Sequence, residues 1–304
     1  SPDPCDRHGL IDAPLCRLLE STMSFLRHYD HAHNADLSLW EGWYQENALL
    51  GYVQAPLRDA ALDHGILRRT GQTLQVMPGT TEEITSAFAD FARIAFNSGL
   101  LLQWVGEAFP VKATVAEPTR FTMERTLTAL MGCLTFGVHL NGYVPSQSSS
   151  ALWIATRSHQ KPTFPGMLDN MVGGGQPAGL TLFANLSKEC KEEAGIPPAL
   201  AQDAVPVGTI SYCHSDGRGL KRDVLFCYDL ALPEDFHPEC TDGEVDSFEK
   251  LPLADVLDII RTTNRFKYNC NLVILDFAIR HGALNGDNTP EYLALCQRRN
   301  QLEL

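Results

Sequence analysis

Glu189, Glu192 and Glu193 stand at positions i, i+3 and i+4. A helix through them carries all three carboxylates on one face. Like charges at that spacing repel and destabilise a bare helix. A hard divalent cation converts the repulsion into a binding site, because carboxylate oxygens are the ligands Mg²⁺ takes. Lys188 and Lys191 supply part of the compensating charge. Gly173, Gly174 and Gly175 upstream let the backbone turn tightly and expose carbonyls and amides near the helix start. For a Glu-x-x-Glu-Glu run alone, a solvated acidic helix face is the competing reading.

The elements that hold this segment belong to a chain of 304 residues, 44% hydrophobic and 20% charged. That composition excludes a disordered chain, a collagen-like repeat and a disulfide-stapled miniprotein, and the length allows one large domain or two modest ones. The formal net charge of −13 argues against broad binding to duplex nucleic acid or to an anionic membrane. The longest apolar run, 272–279, is short for a membrane span and contains Asp276. Nine cysteines are scattered with no Cys-x-x-Cys pair, which points to reduced thiols inside the cell. The first residues, SPDPCDRHGL, carry neither Met nor an apolar signal core and read as a processed end. A cytoplasmic location is expected, or an organellar one after removal of a transit peptide.

Along the chain, Leu15, Leu18, Leu19, Thr22, Met23 and Leu26 recur at helical spacing. A β-like run follows at 46–54, then a short helix around Ala60 to Leu62. A longer helix is expected over 80–99, with Thr81 as N-cap, Glu82 and Glu83 in its first turn and Gly99 at its end. Residues 121–132 read as a helix ending near Gly132. Strands are expected at 134–144 and 151–158, with SQSSS at 146–150 as the loop between them. The acidic helix spans 182–194. Strands at 205–214 and 223–232 flank a hairpin tip, and helices at 252–262, 270–281 and 289–299 close the chain. This order suggests a mixed α/β sandwich rather than a doubly wound sheet. His28, His31 and His33 read as a surface or interface cluster, and Cys190 as a core thiol on the helix face opposite the glutamates.

The stretch 173–196 resembles the Nudix box: Gly, five residues, Glu, seven residues, then Arg-Glu-aliphatic-any-Glu-Glu-any-Gly-aliphatic. Gly174 takes the first position, Lys188 the Arg and Glu189 the next Glu; Cys190 sits at the aliphatic position. Glu192 and Glu193 form the pair, and Gly195 and Ile196 end the box without a gap. Two positions depart: Lys188 stands for Arg, and Leu180 stands where the family has a Glu that anchors loop to helix. Segments 137–144, 156–175, 188–201, 225–238, 242–252 and 266–282 resemble a narrower branch. It is related to the Nudix-like portion of fungal thiamine pyrophosphokinases and to stand-alone fungal and plant proteins. The chain has no GxxxxGK[ST] loop, so a hydrolase is expected rather than a kinase.

The resemblance implies a Nudix α/β/α sandwich over 119–304, with a smaller α+β domain of the same branch over 1–118. It implies a Mg²⁺-dependent hydrolase, with Mn²⁺ as a substitute, acting on a small-molecule diphosphate. On the branch, that diphosphate is thiamine diphosphate or an oxidised analogue. Glu189 and Glu193 are the expected principal metal ligands, Glu192 the third, and the Gly173 carbonyl a further one. Lys188 orients the carboxylates or contacts phosphate, and Glu193 or Glu244 serves as base. Arg157, Ser158, Lys161 and Thr163 would hold the distal phosphate. Asn141 and Asp169 flank the cleft, and Trp40, Trp43, Trp104, Phe109, His139 and Tyr143 are candidate walls. An isopentenyl-diphosphate-isomerase-like enzyme, suggested by the flank at 157–165, and a non-catalytic binding module, suggested by Leu180, are the alternatives.

Overall fold

The computed structural model describes residues 23–146 and 150–300. The expected opening helix therefore lies largely outside the described residues, as does most of the 146–150 loop. The first element is α1 (Leu26–Ala32), followed by β1 (Glu41–Gln45), β2 (Ala48–Val53), α2 (Leu57–His64), β3 (Leu67–Thr70) and β4 (Thr73–Val76). These four strands form one sheet in the order β2-β1-β4-β3. Helix α3 (Thr81–Asn97) packs Ile84, Phe88, Phe91, Ala92 and Ala95 into the core beneath it, at the three- and four-residue spacing of an amphipathic helix.

Two features of this part differ from the sequence expectation. The N-cap of α3 is Thr80, not Thr81. The Thr80 hydroxyl accepts from the Glu83 amide at 3.3 Å, and the Glu83 carboxylate returns to the Thr80 amide at 2.8 Å, a reciprocal capping box. Residues 121–132 are not one helix either. Phe121–Glu124 is strand β6, paired antiparallel with β5 (Ala108–Val111), and only Arg125–Leu130 is helical (α4). Phe121 and Met123 alternate into the core while Thr122 does not, and that two-residue period prevails over local helix propensity.

The larger sheet contains β7 (Leu134–Val144), β8 (Ala151–Arg157), β11 (Val205–Asp216), β12 (Gly219–Ala231) and β13 (Val245–Pro252), in the order β11-β12-β7-β8-β13. Strand β10 (Val172–Gly175) joins β7, and β9 (Leu168–Asp169) joins β8. Strands β7 and β12 run parallel, and the other pairings are antiparallel. One face packs on α5 (Leu182–Ala194) through Val138, Leu140, Val172, Leu186, Cys190 and Ala194. The short α6 (Pro198–Ala201) follows. The other face packs on α7 (Leu253–Thr262), α8 (Tyr268–Arg280) and α1, with α9 (Tyr292–Gln297) alongside. The result is an α/β/α sandwich next to a smaller α+β core.

The cap assigns a test. Thr80→Ala removes the hydroxyl acceptor and is expected to cost about 1 kcal/mol of stability, read as a lower denaturation midpoint at unchanged m value. Thr81→Ala, which leaves the capping box intact, should move the midpoint far less.

Candidate metal and diphosphate site

Strand β10 and helix α5 place the box residues. Thr181 caps α5 by accepting from the Ala184 amide at 3.1 Å. The Glu193 carboxylate is buried and accepts the Gly173 amide at 2.8 Å. Glu189 lies flat on the strand: a Cβ on Gly174 would fall 2.5 Å from the Glu189 Cδ, so no other residue fits there without displacing it. Glu192 faces solvent. Lys188 bridges the row, with Nζ 3.2 Å from Glu189 and 3.1 Å from Glu192. Cys190 is a core thiol as expected, but it packs on the sheet beside Glu193 rather than on an opposite face, and burial, with Glu193 and Glu189, pushes it up to about 12.

Glu244 approaches from the loop before β13. That loop is tied to the end of α5, the Thr241 amide donating to the Glu192 carbonyl at 2.9 Å, and the Glu244 carbonyl accepts the Ser158 amide at 2.9 Å. The Glu244 carboxylate pairs with Lys161. Burial raises the Glu193 carboxyl well above its ordinary range, against the pull of the Gly173 amide, and Asp169, Glu189 and Glu244 raise it further. Glu189 is also raised, chiefly by burial, with Lys188 opposing. Among the described residues no cation pairs with Glu193. A buried carboxylate with one amide partner and carboxylate neighbours matches what a divalent cation requires, so the donor set fits Mg²⁺ or Mn²⁺.

The other expected residues divide. Arg157 is committed to protein acceptors: Asp169 at 2.7 Å, the Thr163 carbonyl at 2.9 Å and the Phe164 carbonyl at 3.1 Å. Ser158 is buried, and its hydroxyl accepts from the Gln160 amide at 3.3 Å. Asn141 donates to Asp229 at 3.1 Å and accepts from Asn170 at 3.1 Å. Of the flanking loop, Lys161 reaches the box carboxylates through Glu244. Asp169, His139 and Cys270 converge within 4.8 Å of one another. Burial raises Asp169, but Lys267, Arg157 and His139 outweigh it and hold the carboxyl at about 2. The Cys270 thiol donates to Asp169 at 2.7 Å, and burial, aided by Asp169, keeps that thiol protonated. With its charge already met by Arg157, this trio braces the site rather than holding an ion.

Among the candidate walls, Phe109 and His139 reach the glycine strand. A Cβ on Gly175 would fall 2.6 Å from Phe109, and one on Gly173 would fall 3.0 Å from the His139 ring. Trp43 is a core residue that donates to the Met131 carbonyl at 2.7 Å, Tyr143 packs on Phe277 and His281, and Trp104 lies beside Phe96. The histidine run divides: His28 is buried where α1 meets α7, bonded to the Ile260 carbonyl at 2.7 Å, while His31 is exposed and His33 half-buried. Sequence reasoning missed Gln176 and Asn185. Gln176 Nε2 donates to the Leu180 carbonyl at 2.8 Å, and Asn185 Nδ2 donates to the Gly175 carbonyl at 2.9 Å. These amides hold the loop where the box departs at Leu180.

No protein-family model matches the chain. It is 46% identical over 226 residues to Nudix hydrolase 20, chloroplastic, of Arabidopsis thaliana, covering 74% of this chain and 60% of the relative. It is 45% identical over 258 residues to Nudix hydrolase 24, chloroplastic, of the same plant, covering 83% of this chain and 70% of the relative. Among solved structures, the Nudix domain of Shewanella oneidensis NrtR complexed with ADP ribose aligns with 17% identity and a TM-score of 0.40, over 49% of this chain and 89% of that one.

The raised Glu193 carboxyl has a thermodynamic consequence. The folded state binds its proton more tightly than the unfolded chain does, so this group's stabilising contribution is full below the ordinary carboxylate range and is lost as pH rises through the raised value. Glu193→Gln keeps an acceptor for Gly173 and has no charge to desolvate. In EDTA at neutral pH it should melt at or above the wild type, and it should lose the wild type's gain on adding Mg²⁺. A clearly lower melting temperature in EDTA would contradict the buried-charge assignment.

Proposed function

The chain belongs to the Nudix hydrolase family, and on that premise we propose that it is a metal-dependent diphosphate hydrolase built on two cores. The expected division at 118 and 119 falls inside the β5–β6 pair, the smaller core runs on to Cys133, and α1 packs on the larger sheet. The observation that carries the reading is the placement of Glu189 and Glu193 side by side on the glycine strand, with Glu193 short of positive charge. The bound Mg²⁺ or Mn²⁺ would neutralise diphosphate oxygens and lower the pKa of a bound water. Glu189 and Glu193 would hold it, with Glu192 and the Gly173 carbonyl as further donors. Lys188 keeps Glu189 and Glu192 aligned. Glu244 stands within charge range of Glu189 and Glu193 and is our choice of base, with Glu193 the alternative. Its pairing with Lys161 supports a proton-accepting role: when Lys161 turns to a substrate phosphate, Glu244 is released to take a proton from water. Arg157 and Asp169 position the loop that carries Lys161.

The substrate we propose is thiamine diphosphate or an oxidised analogue, cleaved to the monophosphate and phosphate. Support comes from the branch-like segments and from the aromatic Phe109 beside Gly175, suited to a heterocyclic ring. We also propose action inside the cell, in an organelle or the cytoplasm. The chloroplastic names of the two plant relatives support the organellar option. No described helix is long and apolar enough to cross a membrane.

Chromatographic product analysis with Mg²⁺ tests the proposal on thiamine diphosphate, an oxidised analogue, ADP-ribose, a dinucleoside polyphosphate and 8-oxo-dGTP. Cleavage of the thiamine-type diphosphates is expected to dominate. Glu193→Gln should lower kcat by about a hundredfold or more, the scale of losing several kcal/mol of transition-state charge stabilisation. Wild-type turnover by that variant at saturating metal would remove the metal assignment, and cleavage of ADP-ribose alone would remove the thiamine one.

A further inference from the structure

Beyond the glutamates, the larger sheet contains a cation that no described protein group uses. Alternation along β12 puts Lys221, Asp223 and Leu225 on one face of the larger sheet. Their register partners are His214 and Tyr212 on β11 and Thr135 and Gly137 on β7, and Gly137 pairs in turn with Gly175. A single sheet face therefore runs from Lys221 to the strand that holds Glu193. At the glycine end stands Arg125. Its guanidinium is 3.5 Å from where a Cβ of Gly175 would sit, lies 5.2 Å from the Phe109 ring centre, and is steadied by Glu107 at 2.9 Å. At the far end Tyr268 stacks on His214 at 4.2 Å, and its neighbour Lys267 is held only loosely by Asp169, at 3.9 Å.

Asp223, the nearest acid along the strand, is engaged elsewhere: both the Tyr212 hydroxyl, at 2.5 Å, and the Thr135 hydroxyl donate to it. Among the described residues no hydrogen bond or ion pair reaches the Lys221 ammonium, although the residue is half-buried. Burial lowers its pKa; Asp223 opposes this, while Arg125, Lys267 and Arg218 lower it further. A half-buried ammonium with no acceptor and cationic neighbours is costly to maintain unless a ligand supplies the acceptor.

We propose that Lys221, with Arg125 and Lys267, forms an anion-binding subsite on this sheet face that takes phosphate oxygens of the substrate. The subsite rests on the hydrolase reading only in that its sheet face reaches the strand that holds Glu193. Its ligand is a phosphate-class anion, gripped without metal by ammonium and guanidinium donors.

Calorimetric binding of pyrophosphate to the full chain in EDTA tests this, because neither metal nor turnover is needed. Lys221→Met and Arg125→Met should each weaken binding about tenfold, on the scale of one charge-assisted hydrogen bond, while Lys221→Arg stays near wild type. Lys250→Met, which removes a lysine paired with Glu234 away from this face, should change nothing. Mn²⁺ affinity by electron paramagnetic resonance should be the same in all four variants. The subsite is overturned if Lys221→Met and Arg125→Met bind pyrophosphate within about twofold of wild type, if Lys250→Met weakens it equally, or if the wild type does not bind it. Failure of the hydrolase reading shows separately, as absence of cleavage across the substrate panel with Mg²⁺.

Discussion

The arrangement of this site depends on placing the Glu193 carboxylate in the protein interior with, among the described residues, only the Gly173 amide as hydrogen-bond partner. An ionised carboxylate removed from water is expensive, and one backbone donor offsets only part of the cost. Three local features make the placement workable. The glycine strand brings a free amide and no side chain. Helix α5 is held at its start by the Thr181 cap and at its end by the bond from Thr241 to Glu192. Lys188 screens Glu189 and Glu192 on the solvent side, so repulsion along the row does not unwind the helix. What remains uncompensated is the charge of Glu193 itself, and that deficit is the physical basis for reading the site as a metal site.

Around this deficit the scaffold separates charges by sign. Asp169 is surrounded by Arg157, Lys267 and the Cys270 thiol, so its negative charge is neutralised inside the protein. Glu189 has Lys188 on its solvent side, and among the described residues Glu193 has no cation at all. The same element serves both purposes: β9 carries Asp169, and three residues later β10 begins. Strand β10 is used on both sides, Gly174 admitting Glu189 and Gly175 admitting Phe109 with Arg125 behind it. Glycine at these two positions is thus a matter of close approach, and it couples the smaller core to the acidic helix across a single strand.

The acidic helix was readable to the residue because cap, amphipathic spacing and terminal glycine all fall within one short segment. The three-layer architecture followed from the resemblance and from long apolar strands such as 134–144. Strand β13 was not read, because at the sheet edge none of its residues is buried and they carry no alternating apolar period. The helix expected over 121–132 failed where tertiary pairing with β5 outweighed local propensity. Arg157 looked like a phosphate ligand from its place before the box, but its acceptors are backbone carbonyls and an aspartate set by loop geometry. Arg125 and Lys221 gave no signal, since they lie in segments about a hundred residues apart that only the fold brings to one sheet face.

The departure at Leu180 shows what that position of the box requires. If the loop needed a carboxylate there, its backbone would stand unsupported in this chain. Instead two side-chain amides take over, Gln176 donating to the Leu180 carbonyl and Asn185 to the Gly175 carbonyl. The requirement is therefore for the loop to be tied to the helix, and an amide from either side meets it. Freed from that task, position 180 carries an apolar side chain that borders a cavity of about 260 Å³ together with Pro110, Val115 and Phe136. Pro110 and Val115 come from the segment around β5, and the Ala178 amide donates to the Ala108 carbonyl in the same seam at 2.8 Å. The substitution thus exchanges an anchor within the box for contact with the smaller core, while Glu189 and Glu193 keep their places on the glycine strand.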